Sequence, residues 1–200
     1  MRRLIKIDLS FYFALLLALL SQNMPIYLTY LIAILIHECG HLLIANGFKW
    51  ELEEVKLTAL GGFLTFKDDL TRPPLQSILV ALGGIFSNLL FMALLKLLQG
   101  PEQLIYTQLA IITFNLLPVV PLDGSRVVQS LLRLRMNYKC TLNVLKVINV
   151  LFLAVFFGAV VWFYLESYFI VVAILAIHVF RYNTTTPYLY ERYKIRREGW

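Results

Sequence analysis

Residues 142–180 pass almost without a break through apolar side chains, and few folds in water can accommodate such a run. A membrane crossing takes about 20 mostly apolar residues as a helix, which satisfies its own backbone hydrogen bonds in lipid. The run is too long for one crossing. Glu166-Ser167 near its middle predicts two short helices joined by a turn. The rest of the chain has the same character: hydrophobic residues are 60% of the 200, charged residues 15%, and mean hydropathy is +0.74. Soluble domains hold about 45–50% apolar and about 25% charged residues. A soluble enzyme, a disordered tail and a disulfide scaffold are therefore excluded, and an integral membrane protein remains. Two cysteines, Cys39 and Cys140, are too few for a disulfide framework. Cys39, inside an apolar run, reads as a small buried thiol.

Four further apolar stretches, about Leu9–Gln22, Ile26–Ile44, Leu75–Leu98 and Leu104–Pro121, bring the predicted count to six spans. Ser21-Gln22-Asn23-Met24-Pro25 reads as a tight turn between the first two rather than a signal-peptide cleavage site. Six spans put both termini and the connections 47–74 and 122–146 on one face. That face then carries every Lys and Arg of the 18 except Lys96. A basic excess can mean nucleic acid, but Lys and Arg collect on the cytosolic side of a membrane chain, so orientation is the first explanation of the net charge of +6. The prediction is an all-α polytopic membrane protein with cytosolic termini: a six-span domain over 1–182 and a basic cytosolic tail over 183–200. One connection stands apart. Val55, Leu57 and Ala59 alternate with Lys56 and Thr58, Gly61-Gly62 interrupts, and Phe63-Leu64-Thr65-Phe66 follows. This predicts a small β-hairpin-like insertion between the second and third spans, with an edge able to pair with an extended peptide.

The second span contains His37-Glu38-Cys39-Gly40-His41, an H-E-x-x-H pattern. Positions i and i+4 share a helix face, so both imidazoles can reach one zinc ion. Glu38 lies one residue round, placed to take a proton from the attacking water rather than to bind metal. Three ionisable side chains within an apolar span are expensive in lipid and mark function. A catalytic zinc needs a third protein ligand. Asp8 lies near the first membrane boundary, Glu102 and Glu166 lie towards the opposite face, and His178 is a lone histidine among apolar residues, more often hydrogen-bonded structure than a ligand. Asp123 remains, just after Pro118 and Pro121 break the fourth span. The second and fourth spans both run towards the cytosol, which predicts that Asp123 meets His37 and His41 at similar depth.

These motifs resemble the site-2 protease family of intramembrane zinc metalloproteases. Asn115 through Gly124 is similar to that family's N-x-x-P-x-x-P-x-D-G element, and Gly84-Ile85-Phe86-Ser87-Asn88 to its G-P-x-x-N element, with Ile85 in place of the proline. The resemblance implies one zinc per chain on His37, His41 and Asp123, catalysis by Glu38, and a substrate path near Asn115 and Pro121, to which Gly61 and Gly62 are added from the hairpin. Within the family, the Tyr190-Glu191-Arg192-Tyr193 segment and the hairpin look most like the stage IV sporulation proteases of endospore-forming bacteria. That likeness implies a membrane-associated substrate such as a sigma-factor precursor of the pro-sigma-K kind. It also implies inhibitory membrane proteins, no direct role for nucleic acid, and a place in the mother-cell membrane around the forespore. Such relatives commonly continue into a CBS domain, which these 200 residues do not include. Cleavage of an anti-sigma factor is an alternative. A metal transporter is a weaker one, because the third and fifth spans are almost wholly apolar.

Overall fold

A computed structural model describes residues 5–20, 22–58, 61–67, 71–162 and 169–198. The chain divides into two compact units, one of residues 1–69 and 79–114 and the other of residues 70–78 and 115–200.

The first unit begins with β1 (Ile5–Ile7) and the short apolar helix α1 (Leu9–Leu20), followed by α2 (Met24–Gly47). Pro25 sits in the first turn of α2, where a missing N–H costs nothing. Next come β2 (Leu52–Thr58) and β3 (Gly61–Phe66), an antiparallel hairpin in which Val55 pairs with Leu64 and Leu57 with Gly62. The two glycines thus open β3 rather than form the turn, and Gly61 takes a φ of 132°, a conformation that favours glycine. The sequence pattern missed β1, which lies parallel to β2 with Ile5 opposite Val55, giving the order β1-β2-β3. Ion pairs tie it down: Lys6 Nζ lies 2.6 Å from Glu54 Oε2, and Lys56 Nζ lies 2.9 Å from Asp8 Oδ2. Leu64 and Phe66 point from β3 into a cluster with Ala45, Trp50 and Val80, which seats the sheet on the C-terminal end of α2.

The third long helix, α3 (Pro74–Leu97), crosses α2 where two glycines meet. A Cβ on Gly40 would stand 2.3 Å from the Gly83 carbonyl oxygen, and one on Gly83 would stand 2.7 Å from that of Gly40. Small residues let helix backbones approach in lipid, and polar side chains then bond across. Here Ser87 Oγ donates to the Ile36 carbonyl at 2.9 Å and Asn88 Nδ2 to that of Ala33 at 3.3 Å. Ile85 in place of proline leaves α3 a continuous helix. The fourth expected span is a 14-residue helix, α4 (Glu102–Asn115), which stops before Pro118. The residue before a proline is pushed out of helical geometry, and this sequence has two prolines in close succession.

The second unit holds α5 (Asp123–Arg133), α6 (Tyr138–Trp162) and α7 (Phe169–Glu198). Two helices therefore occupy the long apolar run, as expected; the turn expected at Glu166-Ser167 lies outside the described residues. Residues 183–198 continue α7. This basic end lies against the start of α6: Tyr193 stacks on Tyr138 with ring centroids 4.1 Å apart, and Lys139 Nζ sits 5.8 Å from the Tyr190 ring centre.

The architecture is mostly helical with one small sheet. Among the described residues, α2, α3 and α6 are long and apolar enough to cross a membrane, and α1 is a shorter apolar helix. The chain is a membrane protein.

Candidate metal centre

On α2 the buried residues are Ala33, Ile34, His37, Gly40, His41 and Ala45, one face of the helix. The i,i+4 geometry does what the motif needs: Nε2 of His37 lies 3.1 Å from Nε2 of His41, with the rings edge to face at 87°. Cys39 falls about 200° round the helix from His37. It is exposed rather than buried, because His37, Gly40 and His41 occupy the inner face.

Two features of α3 shape this pair. Nδ1 of His41 lies 2.7 Å from the Val80 carbonyl oxygen. A carbonyl only accepts, so Nδ1 carries the proton, and the tautomer this selects has its lone pair on Nε2. Metal-binding histidines are oriented in just this way by a partner on their other nitrogen. The second feature is Gly84, behind the rings. A Cβ there would stand 2.5 Å from Nε2 of His41 and 2.7 Å from Cε1 of His37. The space beside the two nitrogens thus depends on the missing side chain. A tautomer-fixed imidazole, a second converging nitrogen and a cradle that a methyl group would fill suit a divalent ion such as zinc.

Glu38, one position round from His37, is half-buried beside β3. A Cβ on Gly62 would meet its Cγ at 2.9 Å and its Oε1 at 3.2 Å. The sheet edge therefore runs directly past the carboxylate. The alternation of residues 55–58 showed a strand but not what it would lie against. Gly61 packs on the same helix one turn away, with Ile34 nearest to it.

In the second unit, Asp123 is buried and opens α5. Asn115 ends α4, and Pro121 lies between them, after a cis Val120–Pro121 bond. Gly124 packs so tightly that a Cβ would stand 2.3 Å and 2.5 Å from the carbonyl oxygens of Leu116 and Leu117. Ser125 Oγ donates to the Leu122 carbonyl at 2.7 Å. His178 is accounted for locally, its Nδ1 lying 2.9 Å from the Ile174 carbonyl oxygen one turn back.

An H-E-x-x-H pair carried on a membrane-type helix, backed by a glycine and flanked by a sheet edge, defines the zinc-metalloprotease class of site. Comparison with known proteins narrows it: residues 25–100 match Peptidase family M50. That match takes in the H-E-x-x-H helix, the sheet and α3, and it bears out the likeness to the site-2 proteases drawn from the motifs. Over 118 residues the chain is 30% identical to stage IV sporulation protein FB of Bacillus subtilis, covering 55% of this chain and 41% of that one. Over 110 residues it is 32% identical to a Synechocystis protein whose name describes a zinc metalloprotease, covering 50% and 29%. The chain thus spans less than half the length of these relatives. Its fold is similar to that of the site-2 protease from Methanocaldococcus jannaschii, with a TM-score of 0.64, 18% identity, and 88% and 86% of the two chains covered.

Proposed function

We propose that this chain is an intramembrane zinc metalloprotease that cleaves a membrane-associated precursor protein in regulated intramembrane proteolysis. The observation that carries the reading is the 3.1 Å convergence of the two imidazole nitrogens, one of them fixed as a lone-pair donor by the Val80 carbonyl. His37, His41 and Asp123 are the proposed ligands; each is buried and each offers one ligand atom. Two nitrogens and a carboxylate oxygen leave an open position, the hallmark of a catalytic rather than a structural zinc. Zinc held there would supply Lewis acidity, lowering the pKa of water towards about 7 and polarising the scissile carbonyl.

The chain's own residues do the rest. Glu38 takes the proton of the attacking water and returns it to the leaving amine. A helical substrate hides its carbonyls in i→i−4 bonds and must be unwound before attack. The β3 edge beside Glu38 offers main-chain hydrogen bonds to the unwound segment, and Gly61 and Gly62 let it approach closely. Asn115 and Pro121 border the proposed substrate path. The six-crossing topology with cytosolic termini belongs to this proposal, with α1, α4 and the apolar half of α7 completing the bundle. Its support is the one-sided placement of Lys and Arg. The sporulation reading, a sigma-factor precursor cut in the mother-cell membrane under the control of inhibitory membrane proteins, rests on the likeness to stage IV sporulation protein FB. An anti-sigma factor is the alternative substrate.

The test is co-expression with candidate precursors, scored by product size, alongside zinc content of the purified chain. Glu38→Gln is expected to keep its zinc and leave the precursor whole, while His37→Ala and Asp123→Asn lose both. Full cleavage by Glu38→Gln or Asp123→Asn would refute the assignment.

A further inference from the structure

We propose that Asn149, a lone carboxamide on the buried face of α6, is the positioning residue that fixes the backbone leading into Asp123 and so sets the affinity for zinc. The inference rests on the reading of Asp123 as a ligand and adds to it the group that holds this ligand's chain in place.

The segment between α4 and α5 is non-helical backbone between apolar helices. Pro118 and Pro121 donate no hydrogen bonds, and the N–H groups around them lack the partners a helix would give. Such backbone is tolerated at membrane depth only where protein or an aqueous cavity satisfies it. Some of it is satisfied locally: Leu122 N donates to the Val119 carbonyl at 2.9 Å and Ser125 N to that of Leu122 at 3.1 Å. Val120, immediately before Pro121, is satisfied from a distance. Its N–H donates to Oδ1 of Asn149 at 3.0 Å, a contact spanning 29 positions in sequence.

Everything about Asn149 points to that one acceptor. It lies in the buried stripe Tyr138, Thr141, Leu142, Leu145, Asn149 of a helix otherwise rich in Val, Leu and Phe. It is 0% exposed, as is Val119 beside the bonded amide. Its Nδ2 has no hydrogen-bond partner among the described residues. A buried amide that leaves its donors unused carries a cost that an apolar side chain of the same size would avoid. Its acceptor is what this position uses. The bond holds Val120 from the α6 side, while the contact of Gly124 with the Leu116 and Leu117 carbonyls holds the chain just beyond Asp123. Asp123 lies between these two anchors. Metal ligands tolerate displacements of about 0.2 Å, and loss of a group that orients a ligand typically costs about 10–100-fold in metal affinity.

The experiment uses the full chain in detergent. Zinc affinity is measured by chelator competition, and backbone protection of 116–123 by hydrogen–deuterium exchange. Asn149→Leu is expected to weaken zinc by about 10–100-fold and to speed exchange in 116–123. Asn149→Asp, which keeps an acceptor, restores most of both. Thr141→Val, an equally buried polar position on the same stripe with no bond to the segment, leaves zinc affinity unchanged. Should the leucine variant fail to fold, Asn149→Ala gives the same two readings. Wild-type zinc affinity with unchanged exchange in the leucine or alanine variant overturns the inference and leaves the protease reading standing. A wild-type chain whose zinc binding is indifferent to His37→Ala and Asp123→Asn overturns both.

Discussion

Gly84→Ala is the sharpest test of how the imidazole pair is built. The added Cβ would stand 2.5 Å from Nε2 of His41 and 2.7 Å from both Cε1 of His37 and Cε1 of His41, where ordinary contact begins near 3.4 Å. One ring must therefore retreat by roughly 0.9 Å. Nor can His41 yield freely, because its Nδ1 is held at 2.7 Å by the Val80 carbonyl on the same helix as the new methyl group. A retreat of that size is several times the roughly 0.2 Å a metal site tolerates. Zinc affinity should fall by at least the 10–100-fold typical of a disturbed orienting group, or about 1.4–2.7 kcal/mol. The assay is chelator competition on the purified chain, with far-ultraviolet circular dichroism as the check on folding. Gly83→Ala is the matched control: its Cβ meets the Gly40 carbonyl at 2.7 Å and pushes on the helix crossing rather than on the rings. It should lower thermal stability, by about 1–3 kcal/mol for an overpacked contact, more than it lowers affinity per folded molecule. A folded Gly84→Ala chain that binds zinc as the wild type does would refute this account of the cradle.

Gly62→Val should leave zinc in place and slow cleavage of a precursor by at least tenfold, because the side chain would occupy the space beside Glu38 that an incoming strand needs; measuring zinc content and turnover together separates this from a fold defect. The β1 strand gives a pH prediction. Asp8 is held well below the usual carboxylate range, first by its hydrogen bond with Lys56 and then by the Ser10 amide. A carboxyl with a depressed folded pKa contributes stability above its unfolded value near 3.9 and loses it as pH falls through the folded one. Hydrogen exchange of residues 5–7 should therefore be flat in stability from pH 7 to about 5 and loosen only below about 4, while Asp8→Asn loosens it at pH 7.

Much of this protein is written in local pattern. The long apolar runs specify helices in lipid, and α2 and α3 begin and end within a few residues of where hydropathy places them. Pro118 and Pro121 announce the end of α4, and the alternation around Val55 announces the hairpin. His37 and His41 share a face through helix geometry alone, so the spacing already implies their convergence. Other features leave little local trace. β1 is three residues long and exists because β2 lies beside it, so Ile5–Ile7 carried no recognisable strand pattern. Cys39 read as buried because a run of apolar neighbours does not say which side of a helix faces inward.

The positions that tune the centre belong to this second kind. Periodicity places two imidazoles on one side of a helix, but the proton on Nδ1 of His41 is set by a carbonyl 39 residues away, which lies in reach because Gly40 and Gly83 let two helices touch. The same crossing turns Gly84 towards the rings. The sheet brings Gly62 to Glu38, and α6 brings Asn149 to Val120. Chemical identity and helix phase are properties of short segments, so they survive in a one-dimensional string. Which backbone group meets which side chain depends on how helices cross, and that is decided by packing over distances that no local pattern encodes.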